Sequence, residues 1–310
     1  MAISTSTRQA INRAVTRGLS TLERPEPLRL SEWAKENFYL SPESSYVQGD
    51  WEAYPFQVAI MDAMSNDDIR SVTLKKSARV GYTKMIVAAI GYFAEHRRRN
   101  QVVWQPVDED AEAFVKDEID PMLRDCEAVQ RVFPYFNKKS KFNTLSKKCF
   151  RGSTLDILGG KSPKNYRRMS KDVAILDELS GFDGNVGNEG SPRSLAKKRL
   201  EGSTFPKEIL GSTPKLAVSC QIDAAFVEAD VRFRYHIRCP HCGHEQHLKW
   251  GGPGVAYGLK YVNDDAETAE YLCEACPALF PYETYIRDLM ARGRWIGEGG
   301  IWIDEESRFR

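Results

Sequence analysis

Short apolar runs alternate with longer helical patterns between residues 69 and 212, and this rhythm organises the middle of the chain. Ile69 to Leu74 reads as a strand. Lys84 to Glu95 reads as a helix with Met85, Ile86, Ala88, Ala89, Tyr92 and Phe93 turned inward, and Gln101 to Trp104 as a second strand. An acidic helix follows to Ile119, and Val173 to Leu176 and Glu208 to Leu210 supply two more buried strands. Strands joined by helical crossovers form a mostly parallel sheet covered by helices on its faces. The pattern therefore predicts an α/β fold whose ligands gather at the carboxyl ends of the strands, first after Leu74 and next after Leu176.

Upstream, Ile3, Ala10, Ile11, Ala14, Val15, Leu19 and Leu22 fit one amphipathic helix over residues 1–24, which Pro25 and Pro27 end. A second short element runs from Leu30 to Phe38, contains Trp33, and has Ser31 as a weak cap candidate. Residues 1–40 thus read as a helical accessory segment, its apolar face docking on the core or on another protein.

Composition narrows the setting. With 310 residues, 42% hydrophobic and 28% charged, the chain lies far from the disordered regime. Its longest apolar run, Met85 to Ala94, is too short to span a membrane, and the opening MAISTSTRQA lacks the apolar core of a secretion signal. A reducing cytoplasm is the expectation, in which cysteines serve as thiols or metal ligands. The formal net charge of +1 conceals segregation. Between Lys138 and Lys171 stand eleven basic residues against the single acid Asp156, whereas Asp108 to Asp120 holds seven acids against Lys116. A local basic field steers polyanions even on a nearly neutral protein; ordinary charged surface hairpins are the alternative.

The loop after the first strand reads Lys75-Lys76-Ser77-Ala78-Arg79-Val80-Gly81-Tyr82-Thr83-Lys84. Set against G-x-x-x-x-G-K-[ST] on Gly81 and Thr83, it places Lys76 at the first glycine and Tyr82 at the lysine. The physics of a phosphate loop remains: a turn from Ser77 through Tyr82 feeds backbone N–H groups into a helix N-terminus, Gly81 permits close approach, and Thr83 offers a hydroxyl to magnesium. Lys76 enters the phosphate pocket from the front of the loop, with Lys84 the alternative, and Arg79 is a further candidate for neutralising phosphate. Val173-Ala174-Ile175-Leu176-Asp177-Glu178 ends a buried strand in two carboxylates, where a magnesium-holding aspartate and a water-activating glutamate belong in an ATPase. The two motifs together predict binding and hydrolysis of ATP with Mg2+.

Three further features adjoin this core. Tyr46 could stack on adenine and Gln57, in Pro55-Phe56-Gln57, could bond its edge, or both could simply pack on the first helix. Ser212 and Thr213 in Gly211-Ser212-Thr213-Pro214 could sense phosphate at a strand end, or cap a proline turn. Cys126, Cys149 and Cys220 are isolated and read as buried small residues. Cys239-Pro-His-Cys242 and Cys273-Glu-Ala-Cys276, separated by 30 residues, read as a structural four-thiolate Zn2+ site, with His241, His244 and His247 as alternative ligands.

These motifs together resemble the large subunit of a tailed-phage DNA-packaging terminase of the lambda-like GpA family. The likeness is carried by FYLSPESSYVQGDWEAYPFQ, KSARVGYTK, GGKSPKNYR, DVAILDEL, EGSPRSLAKKRLEGS, GSTPK and the CPHC and CEAC knuckles, from about residue 20 to the end. The resemblance implies an ASCE, RecA-like P-loop NTPase that drives double-stranded DNA into a prohead in the host cytoplasm. It also implies an N-terminal segment that recruits the small subunit, a portal/prohead partner, and a homo-oligomeric ring during packaging. Lys76 replaces the usual lysine, and Arg79, Gly81, Asp177, Glu178 and Ser212-Thr213 fit the same scheme. Family members carry a separate nuclease beyond the motor, and no nuclease chemistry is expected of these 310 residues. The expected organisation is an accessory segment at 1–40, a motor core at 41–235, a zinc-knuckle insert at 236–280 and a continuation of the motor at 281–310. Lys161, Lys164, Arg167 and Arg168 are the DNA-contact candidates. A superfamily-2-like helicase and a non-catalytic zinc-containing scaffold are the rival readings; the first should carry a second motor domain, and the second has no use for Lys76, Asp177 and Glu178.

Overall fold

The computed structural model describes residues 11, 12, 15, 27–45, 47–136, 140–215, 220–252, 254–281 and 290–310. Most of the expected helix over 1–24, Tyr46, and Lys138 and Lys139 of the basic field lie outside the described residues.

Helix α1 (Leu30–Asn37) leads into a small antiparallel pair, β1 (Tyr39–Leu40) and β2 (Gly49–Asp50), and then α2 (Pro55–Ser65). Strand β3 (Ser71–Lys75) feeds α3 (Tyr82–Glu95), and β4 (Gln101–Gln105) feeds α4 (Asp108–Phe114). A π-helical turn (Val115–Ile119) continues α4 into α5 (Asp120–Asp125), and α6 (Glu127–Val132) follows. Next come β5 (Lys147–Phe150), β6 (Ser153–Gly159), β7 (Val173–Asp177), α7 (Pro192–Lys197), β8 (Lys207–Ser212) and α8 (Gln221–Val227).

Strands β3 to β8 form one sheet in the order β3-β8-β7-β4-β6-β5, parallel throughout except for the antiparallel edge pair β5 and β6. Its central strands are buried on both faces, which is why they read as continuous apolar runs. Val103, Ile175 and Ile209 align across β4, β7 and β8 and join the core under α1, α2 and α3. Trp104, Leu176 and Leu210 face the other way, against Phe182, Leu195 and Ile222. The strand carrying the loop is thus separated from the strand carrying the acids by β8, whose own tip lies between them.

Of the two dockings open to the apolar face of residues 1–40, the chain around α1 takes the one on the core. Leu30, Trp33, Ala34, Phe38 and Leu40 are buried in the same core as α3. Trp33 Nε1 donates to Glu95 Oε2 at 2.9 Å, and the Tyr92 hydroxyl donates to the Leu28 carbonyl at 2.9 Å. Ser31 does not cap α1, because it lies within the helix, one residue past its start, and Arg29 holds the N-cap position; Glu32 accepts from the backbone N–H of Arg29. At the far end of α2, the buried Lys207 donates to the carbonyls of Ala63, Asn66 and Ile69, and burial pushes its ammonium down to about 8. A lysine opening an apolar strand gives no hint in the sequence that it caps a helix.

Beyond residue 232, β9 (Phe233–Arg238) pairs with β10 (Glu245–His247) and, on its other side, with the returning β14 (Arg294–Gly297). A second three-stranded sheet consists of β11 (Gly258–Val262), β12 (Asp265–Leu272) and β13 (Leu279–Pro281). The expected boundary at residue 235 falls inside β9, and β14 shares that strand's sheet. This unit rests on α2: Trp295 Nε1 donates to the Phe56 carbonyl at 2.9 Å, and Tyr235 meets the Phe56 ring edge-on.

Candidate active site and metal centre

The carboxyl ends of β3, β8 and β7 bring the two sequence motifs together. Lys76 leaves β3 with its backbone N–H on the Ser212 carbonyl at 3.1 Å. Its side chain crosses in front of β8, where Nζ lies 2.7 Å from Glu178 Oε1 and 3.5 Å from Thr213 Oγ1. The Ser212 hydroxyl lies 3.3 Å from Glu178 Oε2 and accepts the backbone N–H of Ser180 at 3.1 Å. Lysine, glutamate and the Ser-Thr pair, drawn from three strands, therefore form one hydrogen-bonded cluster.

Gly81 begins α3 in the left-handed region, at φ +76°, and a Cβ there would lie 2.5 Å from Gln57 Nε2. Gln57 is fully buried, accepts the backbone N–H of Tyr54 at 2.8 Å and donates to the Val80 carbonyl at 2.9 Å. Of the two readings of Gln57, the packing one describes its surroundings: its amide bonds the backbone on both sides, and it holds the loop of residues 76–84 from behind. Gly81→Ala should therefore lose about 1–3 kcal/mol of stability, from the left-handed backbone and the displaced Gln57, and weaken nucleotide binding. Urea unfolding and ATP titration of the same preparation would check this.

At two other loop positions the side chain is engaged away from the loop. The Tyr82 side chain is buried and lies against Gly211, where a Cβ would meet its ring at 2.1 Å. Its backbone N–H lies at the helix start, and the ionisation of its phenol is pushed up by burial, with Asp177 and Glu178 nearby. The ring also lies under Lys76, whose Nζ is 5.5 Å from its centre. Lys84 forms an ion pair with Glu118 of the π-helical turn and is thereby drawn away from the loop. Ser77 and Arg79 are exposed at the loop apex, and Arg79 takes a left-handed φ of +60°.

The acid pair divides into unlike environments. Asp177 is buried, and burial pushes its carboxyl up to about 6. Gln105 Nε2 donates to Asp177 Oδ2 at 2.9 Å, while Oδ1 is buried with no hydrogen-bond partner among the described residues. The half-buried Thr83 hydroxyl makes no hydrogen bond among the described residues. An orphaned carboxylate oxygen and a free hydroxyl at the start of the loop helix fit the hard oxygen ligands that magnesium takes. Glu178 stays half-exposed, in a left-handed conformation of φ +52°, which costs a non-glycine residue about 1 kcal/mol or more. Gln105 and Ser180 were missed in the sequence; the only signal for Gln105 was its place at the end of a parallel strand beside β7.

The basic field needs correction. Lys147 and Lys171 both pair with Asp156, and the buried Lys148 pairs with Asp120, so part of the charge is consumed internally. Lys161, Lys164, Arg167 and Arg168 are all exposed, in the loop that leaves the carboxyl end of β6. Arg167 pairs with Glu189.

The four paired cysteines converge, with all their sulfurs within 4.8 Å of one another. Cys239 Sγ lies 3.8 Å from Cys276 Sγ, and Cys242 Sγ lies 3.9 Å from Cys273 Sγ. Four thiolates at about 2.3 Å from a tetrahedral zinc would be about 3.8 Å apart, so the cluster fits that ion. Backbone N–H groups of Cys242 and Ala275 donate to Cys239 and Cys273 sulfurs, and the buried Gln246 donates to Cys273 at 3.4 Å. His241 and His244 are exposed and His247 stacks edge-on with His236; no histidine joins the cluster among the described residues. Cys126 and Cys220 are buried, and Cys149 half-buried, as free thiols.

Residues 45–295 match the family described as "Phage terminase large subunit gpA, ATPase domain". The chain is 46% identical over 311 residues to the terminase large subunit of Escherichia phage lambda, covering 98% of this chain and 48% of that protein. It is 46% identical over 298 residues to the terminase large subunit of Enterobacteria phage P21, covering 96% and 46%. The chain thus spans about half the length of these relatives. Among solved structures, the HK97 bacteriophage large terminase is similar at a TM-score of 0.46 and 17% identity, over 59% of this chain and 37% of that one.

Proposed function

This chain belongs to the phage terminase large-subunit gpA family, as its ATPase domain, and from that premise we propose that it is a Mg2+-dependent ATPase that moves double-stranded DNA into a prohead. The observation that carries the chemistry is the cluster of Lys76, Glu178, Ser212 and Thr213 around the tip of β8, with Asp177 beside it. Backbone N–H groups from Ser77 to Tyr82 cradle the phosphates, and Lys76 and Arg79 offset the charge of the phosphoryl group in transfer. Thr83 and Asp177 would hold magnesium, which supplies charge neutralisation and orientation of the phosphate oxygens. Glu178 polarises the attacking water; its bond to Lys76 must yield when a γ-phosphate arrives to claim that lysine.

Ser212 and Thr213 touch both the base and the lysine, so they register the phosphate state and pass it to the segment after β8. The exposed residues Lys161, Lys164, Arg167 and Arg168 contact DNA phosphates, giving salt-dependent and sequence-independent binding. The residues upstream of Leu28 recruit the small subunit, a ring of subunits docks on the portal of the prohead in the host cytoplasm, and the cysteine cluster holds structural Zn2+.

The test is ATP turnover with Mg2+, with and without duplex DNA. For the wild type, turnover requires Mg2+ and rises with DNA. Replacing Lys161, Lys164 and Arg168 together by alanine is expected to lower the ratio of stimulated to basal turnover several-fold and to flatten its salt dependence. An unchanged ratio assigns DNA contact to another surface. Strand displacement in place of duplex translocation would favour a helicase, and DNA binding without turnover a scaffold.

A further inference from the structure

Gln105 is left over by both motifs. It is the last residue of β4, is buried, and fixes one oxygen of Asp177 while the other has no hydrogen-bond partner among the described residues. A carboxylate bonded through one oxygen to a rigid strand end has its second oxygen aimed by that bond. A neutral amide donor does this without cancelling the negative charge that a cation needs.

The backbone of the same residue faces the basic loop. The Gln105 carbonyl accepts the N–H of Gly160 at 2.8 Å. Its neighbour Trp104 donates Nε1 to the Asn165 carbonyl at 3.1 Å and stacks on Tyr166 at 4.8 Å between ring centres. Tyr166 closes the loop through its hydroxyl on the Gly160 carbonyl at 3.1 Å. The loop that exposes Lys161, Lys164 and Arg168 is therefore clamped to the strand tip that holds Asp177.

We infer that Gln105 is a positioning residue that aims the Asp177 carboxylate at the metal, and that the Trp104-Gln105 tip joins that carboxylate to the basic loop. The inference rests on Asp177 being the magnesium carboxylate, and adds the residue that sets its direction. Loop movement under a bound polyanion would reach Asp177 through one side chain and one backbone bond.

Gln105→Met keeps the length and bulk of the side chain and removes the donor. The full chain and this variant would be titrated with Mn2+ in the presence of ATP, with free Mn2+ read by electron paramagnetic resonance. ATP affinity in EDTA would be measured in parallel. The variant should bind Mn2+ about 10-fold more weakly, the loss usual for an outer-shell partner, with metal-free ATP affinity unchanged within about twofold. Unchanged Mn2+ affinity would overturn the inference, and so would equal weakening of both affinities, which marks a distorted loop. Gln105→Asn, whose amide falls one methylene short of Asp177, should behave like the methionine variant, and it decides by the same criteria if that variant does not fold. A wild-type chain that binds ATP but no Mn2+ rejects the metal role of Asp177 itself, a failure distinct from that of Gln105.

Discussion

Glu178→Gln should reduce ATP turnover by at least about 100-fold while leaving Mg2+·ATP binding within a few-fold of wild type. Glutamine keeps the shape and the hydrogen-bond reach toward Lys76 and Ser212 but cannot take a proton from water, and a positioned base contributes roughly 10² to 10⁴ in rate. Single-turnover hydrolysis beside equilibrium nucleotide binding separates the two effects. Turnover within threefold of wild type would move the base elsewhere. A companion variant tests the backbone. Glu178 is held at φ +52°, where glycine is at ease, so Glu178→Gly should unfold at higher urea while losing the same catalysis. A gain in stability coupled to loss of activity is expected where strain has been kept for function, because the left-handed turn is what points this carboxylate back toward β8.

Chelation, or changing Cys273 to serine, should unfold the unit that carries the four-cysteine cluster. Among the described residues its buried apolar core contains only Ile237, Tyr271 and Phe280 besides the cysteines, too little to hold two small sheets together. Strong chelation should therefore open the segment from Cys239 to Phe280 to protease, releasing about one zinc per chain by elemental analysis. The six-stranded sheet, which has its own two cores, should keep its cooperative transition. Retained protection of that segment without metal would overturn the structural role. A smaller effect should reach the nucleotide site. Tyr235 and Trp295 rest on Phe56, and one residue later Gln57 holds the Val80 carbonyl, so loosening this contact should weaken ATP binding modestly.

Much of the site was legible because its parts are local. An apolar strand ending in Asp177-Glu178, a turn ending in Gly81 before an apolar helix, and two C-x-x-C knuckles each announce their geometry through neighbouring residues. What misled was residue type without its surroundings. Gln57 carries an amide suited either to an adenine edge or to packing, and only its surroundings show that amide bonded to Tyr54 and Val80. Lys84, the alternative to Lys76 on paper, is paired with Glu118, from a turn 34 positions beyond it. Lys148 and Lys171 counted toward a surface field although each lies buried on a carboxylate.

The sequence by itself determined the α/β class, the strand ends where chemistry gathers, the acid pair, the cysteine ligand set and the family resemblance, because all of these depend on periodicity and spacing along a covalent chain. Tertiary structure alone decided the partners. Lys76 meets Glu178 across 102 positions and Gln105 meets Asp177 across 72. Which buried donor finds which acceptor depends on strand order in the sheet, and the order β3-β8-β7-β4 is written in packing, not in any one segment. By placing β8 between the loop strand and the acid strand, that order brought Ser212 and Thr213, a plausible turn cap in the sequence, into contact with Lys76 and Glu178.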